Sequence, residues 1–344
     1  MKSSPVTQAI ALLDNDWQAY RSLLFNVLSS DNSLLNHINT YLSEHGGKQI
    51  RPLLALLSAN AMVFGKKDKI EFSRAYACAA VAELIHTATL LHDDVADNSD
   101  MRRGKPTVKA NFSPAASVLV GDFWLSRGLK LLISQRCDYT VLENFALALD
   151  KLASGEMLQM ECADSLMTTE EDYFRIISCK TSSLFVATLH STALEMGMDE
   201  DTCRNICEYA ELLGLSFQIR DDIFDYSPEM ETGKAGGSDI LERKITLPLL
   251  GAFREAEKTP QGQQETTKLL EAIRTIDPTA PRQDDLAIQQ MTQDFVIRYH
   301  GIAYAEKALS QCIEKARKAL MVLPDSSYRD ALIELTEYMC YRTR

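Results

Sequence analysis

The 344-residue chain has no CxxC pair among its eight cysteines, no uncharged apolar run long enough to cross a bilayer, and no proline between Pro114 and Pro228. The first absence removes the common zinc frameworks, because two thiols at Cys203 and Cys207 do not complete a structural zinc site. All eight cysteines are expected to be reduced thiols. The second absence argues against a transmembrane helix. The N-terminus reaches Asp14 and Asp16 before any long apolar run, so no signal peptide is expected and the cytoplasm is the expected compartment. The third absence leaves room for several long, unbroken helices. Basic residues are also scarce. A net charge of −12 excludes a general nucleic-acid binder, which needs a basic surface. A polyanionic ligand would have to be met locally, by a few clustered cations or through metal.

Hydrophobic residues make up 46% of the chain, enough for a substantial core. Helical periodicity runs through nearly all of it, and convincing period-2 alternation occurs nowhere. The reading is all-α, with residues 1–344 as a single helical-bundle domain. Breaks are expected at Glu44–Pro52, Asn98–Pro106, Met196–Asp201, Ser227–Asp239 and Thr259–Gln283. The last is polar, carries three prolines, and is expected to be a surface excursion.

Two helices stand out. Ala75, Ala79, Ala82, His86, Thr89, Asp93 and Asp97 recur at spacings of three and four, and so do Ile206, Ala210, Leu213, Phe217, Asp221 and Asp225. Each stripe begins apolar and ends in carboxylates. The endings are two copies of DDxxD: Asp93-Asp94-Val95-Ala96-Asp97 and Asp221-Asp222-Ile223-Phe224-Asp225. The outer carboxylates of each copy project from one helix face and repel each other unless a cation lies between them. Such hard oxygen ligands suit Mg²⁺, which takes one or two carboxylates and leaves other positions to water and phosphate. One copy alone would more often be a solvated acidic helix end. Two copies, each closing an apolar stripe, point to metal.

Cations appear where a diphosphate would need them. GGKQIRP supplies Gly46, Gly47, Lys48 and Arg51 before a helix expected to begin at Pro52. Arg102 and Arg103 follow the first aspartates. KTSSLF supplies Lys180 and Thr181, and a glycine-rich stretch is flanked by Lys234 and Lys244. Each element alone has an ordinary reading: a turn for the glycines, a snorkelling side chain for Lys180.

Taken in order, GGKQIRP, ELIHTATLLHDDVADNSDMRRGKPT, SVLVGDF, GEMLQ, KTSSLF, FQIRDDIFDY and KITLP resemble the trans-type polyprenyl diphosphate synthases, head-to-tail isoprenoid chain-elongating enzymes. The resemblance is densest over residues 46–250 and looser through the C-terminal helices at 284–344. It departs at Arg243, where the family often has Gly, and at Ala235-Gly236-Gly237. It implies the isoprenoid-synthase bundle with a central active-site cavity, homodimerisation, at most peripheral membrane contact through the lipid product, and two substrates, isopentenyl diphosphate and an allylic diphosphate. Asp93, Asp97 and Asp221, supported by Asp225, would hold magnesium, three ions with substrate bound, on the allylic diphosphate. Arg102, Lys180, Lys234 and Lys244 would add charge as pyrophosphate leaves. Oxygens of Thr181 and Gln218 would stabilise the allylic cation. Lys48, Arg51, His86 and Arg103 would hold isopentenyl diphosphate without metal. Ile85, Ala88 and Thr89 precede the first motif. Ala88 and Thr89 are small where short-chain members carry an aromatic, which implies a medium-to-long-chain product. The alternatives are a short-chain farnesyl or geranylgeranyl diphosphate synthase and a terpene cyclase. His92-Asp93 also matches the HD pair of metal phosphohydrolases, but the six histidines offer no second pair.

Overall fold

A computed structural model describes residues 4–44, 46–66, 70–226, 237–278, 280 and 282–341. The described chain is almost wholly helical, with one two-stranded hairpin, Met101–Arg102 against Lys105–Pro106. Its contacts group it into two compact units. One comprises Met1–Leu149, Leu184–Glu208 and Ala319–Leu335. The other comprises Asp150–Ser183, Tyr209–Lys318 and Thr336–Arg344.

The first unit is built around the helix Ser73–Ala96, which packs against Pro114–Ser134, Ile50–Val63 and Asn15–Leu28. The choice of small residues explains how. Ala75, Ala77, Ala79, Ala80 and Ala82 are all fully buried, so neighbouring helices approach the backbone closely. Gly128 of Pro114–Ser134 sits within van der Waals reach of Val81 and Leu84. Ile50–Val63 is buried nearly all round, from Pro52 to Ala59, as a helix at the centre of a core should be. Pro114–Ser134 starts where local chemistry dictates: Ser113 Oγ accepts the Ala116 N–H at 3.0 Å and Pro114 occupies the first turn.

The second unit has its own core. Leu247–Ala256 packs on Pro260–Arg274 and Asp285–Arg298 through Leu249, Ala252, Leu269, Ile273, Phe295 and Val296. The expected surface excursion at Thr259–Gln283 is therefore corrected: most of it is the helix Pro260–Arg274. Pro260 opens that helix instead of breaking it, Thr259 Oγ1 caps the Gly262 N–H at 3.0 Å, and Leu269 and Ile273 are buried on one side of an otherwise polar surface. Two further readings shift. The helix expected from Pro52 begins at Ile50, with the proline still inside the first turn. The unbroken run after Pro114 is interrupted by a π turn, Ser178–Ser182, between Glu170–Ile177 and Ser183–Glu195. The break at Ser227–Asp239 falls largely outside the described residues.

Candidate active site

Both aspartate motifs sit at helix C-termini. The first closes Ser73–Ala96, with Asp97 as the C-cap, and the second closes Glu200–Asp225. Neither helix has a basic residue in its last turn. A helix C-terminus carries about half a negative charge, so carboxylates there are destabilising by roughly 0.3–1 kcal/mol each unless a cation joins them. Placement and spacing therefore make the same demand.

Within each motif the middle aspartate is set apart. Asp94 is 3% exposed, and its Oδ1 accepts from Arg102 Nε at 2.8 Å. Asp222 is 4% exposed, and its two oxygens accept from Gln218 Nε2 at 2.9 Å and Tyr173 Oη at 2.6 Å. Burial pushes Asp222 up to about 6, against those hydrogen bonds and with the help of Asp221 and Asp225. Asp93 and Asp221 are partly buried and Asp97 is exposed. The helical wheel accounts for the difference: the middle residue turns about 100° from its neighbour, into the protein. Asp225 also ties down the start of the short helix Ser238–Leu241, its oxygens accepting the Ser238 and Asp239 N–H groups, each at 3.0 Å.

Among the described residues, no group of three or more His, Cys, Asp or Glu side chains gathers closely enough to hold a metal ion alone. That suits Mg²⁺, which is usually bound by one or two carboxylates and completed by water and phosphate oxygens. A closed zinc-type cage would have needed the missing third ligand.

The first unit also gathers the presumed anion receptors. Arg103 and Gly104 both have positive φ, 52° and 74°, and form the tight turn of the hairpin. The Arg103 guanidinium lies so close over Gly47 that a Cβ there would overlap it. An alanine at the second glycine of GGK would therefore displace the far end of an arginine distant in sequence. Arg51 stacks 4.4 Å from the Phe185 ring centroid, and its buried Nε has no hydrogen-bond partner. Burial lowers Arg51 to about 10, still charged at neutral pH. Burial, then Arg51, Arg103 and Arg102, push His86 well below the usual histidine range. It is neutral, and a neutral imidazole can donate one hydrogen bond to an anion. Glu83, within the ELIH stretch, was given no role in the sequence. It is 6% exposed, and burial pushes it up to about 7 against the pull of Arg51 and Arg103.

In the second unit the π turn presents Lys180 and Thr181. Such turns insert one residue into an α-helix and are frequent at functional sites. Two glycines make room for it. A Cβ on Gly155 would lie 2.6 Å from Cys179 Cβ, and one on Gly214 would lie 2.5 Å from Ser182 Cα. Lys180 pairs with Glu156 and donates to Gln159 Oε1 at 2.9 Å. Thr181 Oγ1 donates to Gln218 Oε1 at 2.9 Å. Gln159, Lys180, Thr181 and Gln218, with Tyr173, Asp222, Asp239 and Lys244, line a cavity of about 130 Å³. Burial works against the charge of Lys244, but Glu242 and Asp239 outweigh it and push Lys244 up. Arg243, where the resemblance expects Gly, holds φ at 58°, the left-handed region that favours glycine. Lys234 lies outside the described residues.

Ile85 and Ala88 are buried, at 3% and 0% exposure, and Thr89 is partly buried, its hydroxyl donating to the His86 carbonyl at 2.9 Å. Sequence reasoning missed Tyr173, Gln159, Glu156, Asp239 and Glu83. Glu156 and Gln159 lie in the quoted GEMLQ and Glu83 in ELIH, so only their roles went unassigned, while Asp94 and Asp222 were visible as the inner members of the motifs.

Comparison with known proteins gives the family. The sequence profile of the family described as polyprenyl synthetase matches residues 32–286. An octaprenyl diphosphate synthase of Haemophilus influenzae is 38% identical over 325 residues, 94% of this chain and 93% of that protein. An all-trans-nonaprenyl-diphosphate synthase of Rhodobacter capsulatus is 34% identical over 328 residues, 95% of each chain. Among solved structures, a decaprenyl diphosphate synthase from Rhodobacter capsulatus superposes with a TM-score of 0.86 at 32% identity, covering 98% of this chain and 99% of that one. A polyprenyl synthase from Caulobacter crescentus, complexed with calcium and isoprenyl diphosphate, gives 0.84 at 31% identity with both chains fully covered.

Proposed function

Because the chain belongs to the polyprenyl synthetase family, we propose that it condenses isopentenyl diphosphate head to tail with an allylic diphosphate, giving an all-trans long-chain polyprenyl diphosphate and pyrophosphate. The observation that carries this reading is the repeated geometry of the motifs: outer carboxylates at a helix C-terminus, middle carboxylate tied back into the protein. Asp93, Asp97 and Asp221 are the magnesium ligands, with Asp225 supporting from the end of its helix. Magnesium, when bound with substrate, offsets the charge that builds on the departing pyrophosphate.

The chain's own groups do the rest. Lys180 and Lys244 add fixed positive charge on the leaving side, as does Arg102 through the donors that Asp94 does not use. Lys48, Arg51, Arg103 and neutral His86 bind isopentenyl diphosphate without metal. Thr181 and Gln218 present oxygen to the allylic cation. The double bond of isopentenyl diphosphate attacks that cation, and the proton lost afterwards goes to pyrophosphate, so no protein base is called for. Thr89, small and only partly buried, leaves the growing chain room, with the small, packed Ala88 beside it. The enzyme works as a homodimer through the apolar stripe Val118, Leu119, Leu129 and Ile133 on Pro114–Ser134, which is 38%, 66%, 55% and 59% exposed. Among the described residues no helix is long and apolar enough to cross a membrane, which fits an enzyme that meets lipid only through its product.

The test supplies farnesyl diphosphate, labelled isopentenyl diphosphate and Mg²⁺, then sizes the products by chromatography. A ladder ending well beyond geranylgeranyl length is expected, and none without Mg²⁺. Products that stop at farnesyl or geranylgeranyl would make this a short-chain enzyme. Pyrophosphate release without isopentenyl diphosphate would make it a cyclase.

A further inference from the structure

Three hydrogen bonds in the second unit run as one chain. Asp222 accepts at both oxygens, from Tyr173 at 2.6 Å and from Gln218 at 2.9 Å. Gln218 meets it with its amide nitrogen, the only end of the amide that donates. The amide oxygen then faces Thr181, 2.9 Å away, and only the threonine hydroxyl can donate there. The single hydroxyl proton of Thr181 is therefore committed. What Thr181 offers to anything else is lone pairs. The tyrosine keeps its proton, since burial and then Asp222 push Tyr173 well above the usual tyrosine range.

We propose that Tyr173 is a positioning residue for prenyl transfer: acting through Asp222 and Gln218, it fixes the direction of this chain so that Thr181 turns its oxygen lone pairs, and not its proton, toward the allylic cation. The proposal rests on the reading of Thr181 as a cation-facing oxygen. A Thr181 proton pointing the other way would repel the cation. A buried anion at the far end of a hydrogen-bond chain also polarises each member toward the acceptor, which makes the Thr181 oxygen a better partner for positive charge. Tyr173 contributes by filling the second oxygen of a buried carboxylate. Without it, that oxygen lacks a donor and the carboxylate is no longer held against Gln218.

A double-mutant cycle separates this role from simple structural support. Tyr173→Phe, Thr181→Val and the double variant are compared by steady-state kinetics with farnesyl and isopentenyl diphosphates, alongside their thermal midpoints. Tyr173→Phe is expected to lower kcat about tenfold or more, the worth of a hydrogen bond to a charged group. Both KM values should stay within about twofold, because the effect falls on the transition state. The double variant should be no slower than Thr181→Val alone. Asp222→Asn interrupts the same chain further on, since an asparagine can meet Gln218 with either end. Should Tyr173→Phe fail to fold, Asp222→Asn must show the same non-additivity with Thr181→Val. Rate losses that multiply in the double variant would overturn the proposal, as would a Tyr173→Phe effect confined to KM. A Thr181→Val enzyme with normal kcat would overturn the Thr181 assignment and the proposal with it. A slow Thr181→Val enzyme with multiplying effects would leave the assignment standing and remove only Tyr173.

Discussion

Gly47 and Arg103 show how one missing carbon makes room for a distant side chain. The Arg103 guanidinium occupies the space a Cβ on Gly47 would take. Gly47→Ala should push that guanidinium aside, raising the KM for isopentenyl diphosphate several-fold while kcat changes little, since binding and not ionisation is disturbed. Steady-state kinetics with each substrate varied in turn will show whether the loss is confined to that one. The metal ligands should behave in the opposite way. Asp93→Ala and Asp221→Ala each remove an element that offsets leaving-group charge, and turnover at saturating Mg²⁺ should fall by about 10²–10³ with the far-ultraviolet circular dichroism unchanged. Glu83 gives a prediction in pH. Its pKa rises on folding to about 7, burial outweighing Arg51 and Arg103. The folded state therefore binds this proton more tightly than the unfolded one. Its contribution to stability is full below the unfolded value and is lost as pH rises through about 7. Glu83→Gln should accordingly raise the thermal midpoint at pH 8 more than at pH 5. A midpoint gain equal at both would show that the carboxyl is held ionised throughout.

At the scale of elements, the carboxylate ends of two helices were legible because charge and period coincide: an apolar stripe at three-four spacing that turns acidic is visible without coordinates. The π turn was not legible. Ser178–Ser182 has an unremarkable helical composition, and its conformation is set by Gly155 and Gly214 on other helices, which cede space to Cys179, Lys180 and Ser182. Gly214→Ala would place a methyl against the Ser182 backbone, so the turn must shift. A loss of about 1–3 kcal/mol in denaturant unfolding is expected, together with reduced kcat, because Thr181 moves with it. The helix Pro260–Arg274 was misread because proline was taken as a breaker when it stood at a start. The wall ahead of Asp93 was partly legible. Ala88 and Thr89 are small, but sequence could not tell that Ala88 is fully buried and Thr89 only partly. An aromatic at Ala88 must displace packed neighbours, so Thr89→Phe is the gentler probe. Both Ala88→Phe and Thr89→Phe are expected to shorten the main product by several isoprene units, read by chromatography of the dephosphorylated alcohols.

At the scale of the whole molecule, the sequence disclosed the class of fold and the family but not which partners hold the motifs in shape, because Tyr173 and Asp222, or Gly47 and Arg103, meet only after folding. The exposed stripe on Pro114–Ser134 is tested by Leu119→Glu with Ile133→Glu. Light scattering should find the wild type dimeric and the variant monomeric. The carboxylates at the helix C-termini have a consequence beyond catalysis. Like charges sit at the negative ends of two dipoles until cations arrive with substrate. Ligands that bind only the folded state stabilise it by mass action, so the empty enzyme is the less stable form. A protease should cut it faster without Mg²⁺ and diphosphate than with them. Under the proposed function, the lifetime of such a protein in a cell would follow the supply of its own substrates, and a shortage of isoprenoid building blocks would thin the enzyme population that consumes them.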